Sequence, residues 1–218
     1  SIYAKVKNLL FGAFPAQNSE DLFATIKSLY SEILPASNVL ETALSNMNAV
    51  FHPPGMLMNT GWVESTGGDF LFYRQGMSPA VGRVTAVVDK ERMAVAKALG
   101  VKTRSFLDNF FEAGLTTKEA RDSNDISRAC YESMPNKTIK SPSSLDDRYI
   151  HEDVGYGLVP MSELGRMVQV STPTIDAIIR LVSDATNIPY FRDGLTLEKM
   201  GINNLDKDSL QRYITQGS

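Results

Sequence analysis

Apolar residues recur at intervals of three and four along most of the chain, the spacing that predicts amphipathic helices. The first such run begins at Ser19 and carries its apolar positions through Ile33, ending before Pro35. A second run follows Asn38, whose side chain can cap a helix. The third helix is predicted to start near His52 to Pro54, because proline is tolerated in the first turn of a helix.

The same spacing continues through the rest of the chain. The longest predicted helix starts at Ser78-Pro79 and ends at Gly100, where glycine is typical of a helix C-terminus. Further helices are predicted near residues 103–113, 117–133, 160–169 and 172–187. The segment 134–147 is rich in Ser, Pro and Lys and is predicted to be an irregular loop.

The start of the chain has a different pattern. Residues 2–15 include the apolar run LLFGAF and are predicted to form one or two strands, closed by Pro15. We therefore predict a mainly α fold: residues 1–18 as terminal strands of a sheet whose other strands lie elsewhere, and residues 19–218 as a helical domain. The fingerprint G-x-G-x-x-G of dinucleotide-binding domains is absent, since the nearest approach, Gly155-Tyr156-Gly157, lacks the third glycine.

Composition narrows the class of protein. Among 218 residues, 43% are hydrophobic and the net charge is −3, so the chain is predicted to be a globular protein that does not bind nucleic acid. There is no run of about 18 apolar residues that would predict a membrane span. The single cysteine, Cys130, excludes an internal disulfide and a cysteine-rich metal site, and it favours a reducing, cytoplasmic compartment.

The most promising chemistry lies in two distant segments. His52, one of only two histidines, precedes two prolines, and imidazole is the side chain that most readily exchanges protons near neutral pH. About a hundred residues later, the segment SLDDRYIHEDVGYGLVP groups several charged side chains before a glycine-rich turn. A carboxylate from this second segment is predicted to orient His52.

These segments carry a resemblance to a known family. His-Pro followed by a Leu/Met/Asn-rich stretch, then TGGDFLFYRQGMSPAV, RYIHED with LVP behind it, and VSTPTIDAIIRL together resemble the C-terminal domain of the octopine/nopaline (opine) dehydrogenases. The resemblance spans roughly residues 38 to 203. It implies a helical bundle like the C-terminal domain of 6-phosphogluconate dehydrogenase, placed after an N-terminal dinucleotide-binding domain. The chain would then be the C-terminal portion of a larger enzyme.

The resemblance also implies roles for residues. His52 would be the proton donor and acceptor, Asp153 would orient it, and Arg148 would bind a substrate carboxylate. The reaction would be the NAD- or NADP-dependent reduction of the imine formed by an amino acid and a 2-oxo acid such as pyruvate, with the cofactor held mainly by the N-terminal domain. A homodimer is a further expectation. We expect the His52 ring and the Asp153 carboxylate to lie within about 3.5 Å.

Spacing alone does not bring Arg148 and Asp153 together. If residues 148–153 are helical, Tyr149 and Asp153 share one face while Arg148 lies beside Glu152. If the segment is extended, Arg148 and Asp153 again point to opposite faces. A turn would be needed to place both at one substrate.

Other interpretations of these residues stay open. His52 could be a buried histidine that a backbone carbonyl satisfies, Asp153 and Glu152 could cap the turn at Gly155, and Arg148 could pair with neighbouring acids at the surface. Two other functions are also possible: a hydroxy-acid dehydrogenase with the same domain plan, or a helical dimerisation or binding module without catalysis.

The remaining motifs are predicted to be structural. Residues 67–76, GGDFLFYRQG, are expected to form a tight turn, because the following aspartate would repel phosphate; its aromatics Phe70, Phe72 and Tyr73 would pack on the core or line the substrate cleft. His151 is predicted to lie outside the chemistry. Four methionines are expected in the core or pocket: Met56, Met58, Met161 and Met167.

Overall fold

The computed structural model describes residues 6–217, and in this range the fold is mainly α-helical, as the sequence predicts. The α-helices are α1 (Ser19–Leu29), α2 (Val39–Leu44), α3 (Asn48–Met58), α4 (Thr60–Thr66), α5 (Pro79–Leu99), α6 (Phe106–Glu112), α7 (Lys118–Asp122), α8 (Ile126–Tyr131), α9 (Arg148–Asp153), α10 (Val159–Met167), α11 (Pro173–Thr186), α12 (Tyr190–Asp193) and α13 (Lys207–Gln216). Two short strands pair, β1 (Leu9–Phe11) and β2 (Ile33–Pro35). None of the helices formed by residues 6–217 has the length and apolar character of a membrane span.

The predicted helix boundaries are confirmed where a capping side chain defines them. The Asn38 side chain accepts hydrogen bonds from the backbone of Leu40 and Glu41 at the start of α2. Ser78 does the same for Val81 at the start of α5, directly before a proline at the first helical position. Gly100 ends α5 with a left-handed backbone, φ 76°.

The first helix is shorter than predicted. It ends at Leu29, and Ile33, which was predicted to be its last apolar position, starts strand β2 instead. β1 and β2 run parallel, with Leu9 opposite Ile33. Strand pairing therefore overrides the helical spacing, and the sheet takes in a strand beyond residue 18. Of the predicted strands at residues 2–15, residues 2–5 lie outside the described range and residues 9–11 form β1.

The predictions for two other helices are wrong in detail. Helix α3 starts at Asn48, one turn before the predicted start, so Pro53 and Pro54 lie inside it. Neither proline has an N–H to donate to the carbonyl four residues earlier, so burial of this segment holds the helix despite the lost bonds. The helix predicted over 117–133 is broken into α7 and α8, because Asn124 adopts a left-handed backbone, φ 57°.

Helix α5 packs against α2, α3, α8, α10 and α11, and a buried arginine joins it to its neighbours. Arg92 is 1% exposed and forms a salt bridge with Asp89 on the same helix, 2.6 Å between Nη2 and Oδ1. Its guanidinium also donates to the carbonyls of Leu44, at the end of α2, and Arg104, before α6. A buried ion pair that satisfies several acceptors in this way fixes the relative positions of these segments.

Two short π-helical turns pack against α3. The first is Phe72–Gly76, and the second, Val154–Leu158, directly follows α9. Two glycines allow close approach: a Cβ added at Gly55 would lie 2.6 Å from the Phe72 ring, and one at Gly157 would lie 2.5 Å from the Ala49 side chain. Both π turns therefore pack directly on the helix that carries His52. Such turns are common at functional sites.

Candidate active site

A buried histidine and aspartate meet between α3 and α9. The Nδ1 atom of His52 lies 2.7 Å from Oδ2 of Asp153, and the two residues are 2% and 6% exposed. The contact meets the predicted distance. Since a carboxylate can only accept, Nδ1 carries the hydrogen, and the lone pair of a neutral imidazole is at Nε2. Asp153 therefore fixes the tautomer of His52.

Local structure explains how Asp153 reaches the histidine. Asp147 caps α9 by accepting a hydrogen bond from the backbone of Tyr149, 2.9 Å long. Asp153 is the last residue of this helix, and the second π turn then packs on α3 through Gly157. Asp153 thus faces His52 and does not cap the glycine turn. The alternative that a backbone carbonyl satisfies His52 is not what the structure shows, because side chains occupy both ring nitrogens.

The partner of Nε2 is a tyrosine from the first π turn. The Tyr73 hydroxyl lies 3.0 Å from Nε2 of His52 and 3.2 Å from the Tyr149 hydroxyl. The four side chains therefore form one hydrogen-bonded chain in the order Asp153, His52, Tyr73, Tyr149. Tyr73 had been predicted only as a core or cleft aromatic, and no motif or spacing in the sequence indicates its bond to His52.

Aromatic rings enclose the imidazole. Tyr149 stacks on it with 3.6 Å between centroids and an angle of 6°, Phe51 lies at 4.3 Å, and Phe72 approaches edge-on at 5.9 Å. This apolar cage removes water from the ring, which disfavours the charged imidazolium.

The cage determines how the site ionises. Burial lowers the pKa of His52 from its ordinary value of 6.5, while the hydrogen bond and charge of Asp153 oppose the shift and the charge of Arg148 adds to it. Burial also raises the pKa of the Tyr73 phenol far above its ordinary range. The resting state at neutral pH is therefore a neutral imidazole that accepts a hydrogen bond from a neutral phenol.

Arg148 lies at the outer side of this site. Its guanidinium is 5.5 Å from the centre of the Tyr149 ring, and its closest carboxylate, on Glu152, is 4.0 Å away. Both side chains are more than half exposed, so this ion pair contributes little to stability. The helical geometry considered for residues 148–153 is the observed one. Arg148 and Asp153 occupy different faces of α9. The positive charge of Arg148 nevertheless contributes to lowering the pKa of His52.

The second histidine belongs to a separate cluster. His151 contacts the Tyr190 hydroxyl through Nδ1 at 2.7 Å and Asp146 through Nε2 at 2.8 Å. This cluster connects α9 to α12, and none of its bonds involves the His52 pair. Its place outside the candidate site agrees with the prediction for His151.

The Gly67-Gly68 segment is a tight turn, as predicted. Both glycines have positive φ, 60° and 77°. A Cβ added at Gly68 would lie 2.3 Å from the Pro142 carbonyl oxygen, so carbonyl oxygens and not N–H donors of the neighbouring loop crowd the turn. Asp69 forms a salt bridge with Lys140, 2.6 Å long. The turn is therefore unsuited to hold the phosphates of a dinucleotide.

The predicted methionines divide between core and surface. Met56 and Met161 are buried in the core, and Met167 packs partly buried against it. Met58, in contrast, is 45% exposed, because it lies at the end of α3.

Comparison with known proteins relates this chain to the octopine/nopaline dehydrogenases. Residues 35–186 match the family described as NAD/NADP octopine/nopaline dehydrogenase, alpha-helical domain. Over 199 residues the chain is 37% identical to an opine dehydrogenase of Arthrobacter sp. (strain 1C), covering 89% of this chain and 53% of the relative. It is 26% identical over 172 residues to protein ocs of Agrobacterium tumefaciens (strain Ach5), covering 78% of this chain and 46% of that protein.

Solved structures show the same fold. An octopine dehydrogenase in complex with NADH and agmatine superposes with a TM-score of 0.67 at 18% identity, covering 89% of this chain and 54% of that chain. A complex of octopine dehydrogenase with NADH and L-arginine gives a TM-score of 0.63 at 17% identity, covering 85% and 55%. The chain thus spans about half the length of the relatives that it matches.

Proposed function

The chain belongs to the octopine/nopaline dehydrogenase family, and we propose that it is the helical substrate domain of an NAD(P)H-dependent opine dehydrogenase. The reaction is the reversible reduction of the imine that an amino acid forms with a 2-oxo acid such as pyruvate. The observation that carries this proposal is the buried 2.7 Å contact between His52 and Asp153, which gives the domain an oriented acid/base group.

The cofactor is assigned to another part of the enzyme. The glycine-rich turn at residues 67–68 does not fit a dinucleotide phosphate, and the G-x-G-x-x-G fingerprint is absent from the sequence. An N-terminal dinucleotide-binding domain would hold NAD or NADP, and the bound nicotinamide would supply or accept the hydride. The residues of this chain then have to bind the substrate and handle the proton.

The β1-α1-β2 segment supports such a neighbouring domain. Two parallel strands joined by a helix form the repeating unit of a dinucleotide-binding sheet. The apolar side of α1 is not covered within the described residues: Leu22, Leu29 and Tyr30 are 46%, 71% and 65% exposed. We propose that the segment up to residue 18, of which residues 1–5 lie outside the described range, belongs to the end of that sheet; the pairing of β1 with β2 favours including α1 and β2 with it.

His52 carries the proton in this mechanism. In amine oxidation, the neutral imidazole takes up the proton that the substrate nitrogen loses; in imine reduction, the protonated imidazole returns it. Asp153 accepts the Nδ1 hydrogen throughout, so that Nε2 is always the atom that gains or loses a proton. Asp153 also stabilises the imidazolium by its charge.

Arg148 is proposed to bind the carboxylate of the 2-oxo acid. Its guanidinium is exposed at the start of α9, where it can form two parallel hydrogen bonds to a carboxylate.

We expect Arg148→Lys to raise the KM of the 2-oxo acid on the order of tenfold, with a smaller change in the KM of the amine, because a lysine ammonium cannot make the two-pronged contact. Steady-state kinetics with each substrate varied in turn measure this difference. Arg128→Lys, on an exposed arginine that pairs with Glu132, is the matched control.

The reaction class is tested by the substrates that NADH or NADPH oxidation requires. The experiment uses the enzyme in which this chain is joined to its dinucleotide-binding domain, with amine alone, 2-oxo acid alone, or both. The proposal predicts oxidation only when both are present, with a secondary amine as the product identified by mass spectrometry. Formation of a hydroxy acid at a comparable rate without amine would establish a hydroxy-acid dehydrogenase. Absence of oxidation under all three conditions would favour a non-catalytic helical module.

A further inference from the structure

The hydroxyl of Tyr73 covers the catalytic nitrogen of His52. Nδ1 is occupied by Asp153, and Nε2 lies 3.0 Å from Tyr73 Oη in a ring that is 2% exposed. A substrate nitrogen that approached Nε2 directly would have to displace this hydroxyl. We propose that Tyr73 is itself a catalytic residue, which transfers the proton between the substrate nitrogen and His52. The inference rests on the proposed acid/base role of His52.

The hydrogen-bonding capacity of a phenol fits this role. A phenolic oxygen has one hydrogen to donate and two lone pairs that accept. In the resting site, Tyr73 donates its hydrogen to the Nε2 lone pair of neutral His52. The Tyr149 hydroxyl, 3.2 Å away, can donate to one lone pair of the Tyr73 oxygen. Within residues 6–217 the Tyr73 oxygen has no hydrogen-bond partner beyond these two, so its second lone pair can accept an N–H of the substrate amine.

The proton balance of amine oxidation follows from this arrangement. A nicotinamide dinucleotide held by the other domain would accept the hydride from the substrate carbon, and the nitrogen lone pair would form the C=N bond. The N–H proton then moves to the Tyr73 oxygen, and its electron pair stays on nitrogen. The original O–H bond of Tyr73 breaks at the same time, and its proton binds Nε2 of His52. The product side is a neutral imine, a neutral phenol and an imidazolium paired with Asp153.

Imine reduction uses the same steps in reverse and begins with protonated His52. The two transfers at Tyr73 must be concerted, because burial raises the pKa of this phenol and disfavours a free tyrosinate. The arrangement therefore moves two protons for each turnover, one on either side of the phenolic oxygen. A direct transfer from substrate to His52 would move only one.

Packing holds Tyr73 in the relay position. It lies in the first π turn, where the preceding Phe72 is fully buried against Gly55 of α3, the helix that carries His52. The Tyr73 side chain is 5% exposed and contacts the rings of Phe51 and His52. Moving the hydroxyl out of the way would break these contacts, whereas passing a proton through it requires no such movement.

The test is Tyr73→Phe in the enzyme joined to its dinucleotide-binding domain, assayed with whichever substrates the wild-type enzyme turns over. We expect kcat to fall on the order of 10²-fold, the usual contribution of a positioned proton-transfer group. We also expect a curved dependence of kcat on the D₂O fraction in the wild-type enzyme, since two protons move together. Tyr190→Phe is the matched control, because it removes another tyrosine to histidine hydrogen bond, 2.7 Å long, outside the relay.

A second substitution keeps the shape of the site. Incorporation of 3,5-difluorotyrosine at position 73 preserves the hydroxyl and lowers its pKa, so a relay predicts an altered rate and solvent isotope effect even where the phenylalanine variant folds poorly. Thermal denaturation of each variant identifies such a folding defect. The inference is overturned if both substitutions leave kcat within about threefold of wild type with a linear D₂O dependence. That outcome leaves the proposed function intact. If the wild-type enzyme instead oxidised NADH or NADPH without an amine, the proposed function would be refuted, and the effect of Tyr73→Phe on that reaction would show separately whether Tyr73 transfers protons.

Discussion

Replacement of His52 by alanine is expected to lower kcat for imine reduction and amine oxidation on the order of 10²-fold or more, the usual contribution of a positioned acid/base. The reason is that His52 donates a hydrogen bond to Asp153 through Nδ1 and accepts one from Tyr73 at Nε2. Without the imidazole, the proton has no acceptor of suitable pKa beside the substrate. Steady-state kinetics in both directions measure the effect, together with circular dichroism to show that the helices are retained.

The control for this substitution is His151→Ala. His151 also bonds an aspartate and a tyrosine, but in a separate and partly exposed cluster, so its replacement should leave kcat nearly unchanged. Imidazole added to the His52→Ala enzyme should restore part of the activity by occupying the space beside Asp153. If His52→Ala retains kcat within about threefold of wild type, the acid/base role of His52 is wrong.

Replacement of Asp153 by asparagine should lower kcat by about 10²- to 10⁴-fold, because it disturbs the tautomer of His52 without changing the size of the side chain. An asparagine amide can turn its NH₂ group toward Nδ1. The ring hydrogen would then move to Nε2, and the neutral imidazole could no longer accept a proton from Tyr73. Loss of the carboxylate also removes the charge that stabilises the imidazolium.

Glu152→Gln provides the matched control. Glu152 is the neighbouring acid on α9, but its side chain is 66% exposed and pairs loosely with Arg148, so neutralising it should change kcat by less than about twofold. Equal losses in the two variants would show that the effect comes from the net charge of α9 and not from the bond to His52.

The His52 to Asp153 contact was predicted correctly because a family resemblance joined two segments a hundred residues apart. From the residues alone, Asp153 had a simpler interpretation as a cap of the glycine turn, and several acids in the same segment were equally plausible partners. What distinguishes Asp153 is that α9 ends there and the second π turn packs on α3 through Gly157. That contact depends on tertiary packing, which no local spacing reports.

Tyr73 shows a different limit of sequence analysis. Its segment, residues 67–76, was predicted as a tight turn whose aromatics pack on the core or line the cleft. The turn is present at Gly67-Gly68 and the aromatics are buried, but residues 72–76 form a π turn that was not predicted. The bond to Nε2 of His52 depends on the isolated π turn Phe72–Gly76, which follows an extended residue and packs on α3 through Gly55. Helical periodicity gives no indication of such a turn or of its packing on α3.

The remaining differences are local patterns that tertiary contacts override. Ile33 continues the apolar spacing of α1 but pairs with Leu9 as a strand. Pro53 and Pro54 were predicted to mark a helix start, yet α3 begins a turn earlier because its residues from Ala49 to Met56 are buried on all sides. Capping side chains, in contrast, fix helix starts through contacts a few residues away, so the starts after Asn38 and Ser78 were predicted correctly.

The pH dependence of kcat/KM for amine oxidation tests the His52 to Asp153 pair most directly, after correction for the ionisation of the amine itself. Oxidation requires neutral His52, and burial lowers the pKa of His52 from 6.5, so activity should persist below pH 6.5 and be lost only as pH falls through that lowered pKa. Because the hydrogen bond and charge of Asp153 raise the pKa of His52, Asp153→Asn should shift this loss of activity at acidic pH to still lower pH. If activity were lost already above pH 6.5, and if Asp153→Asn did not shift that loss, His52 would not be the group that accepts the substrate proton.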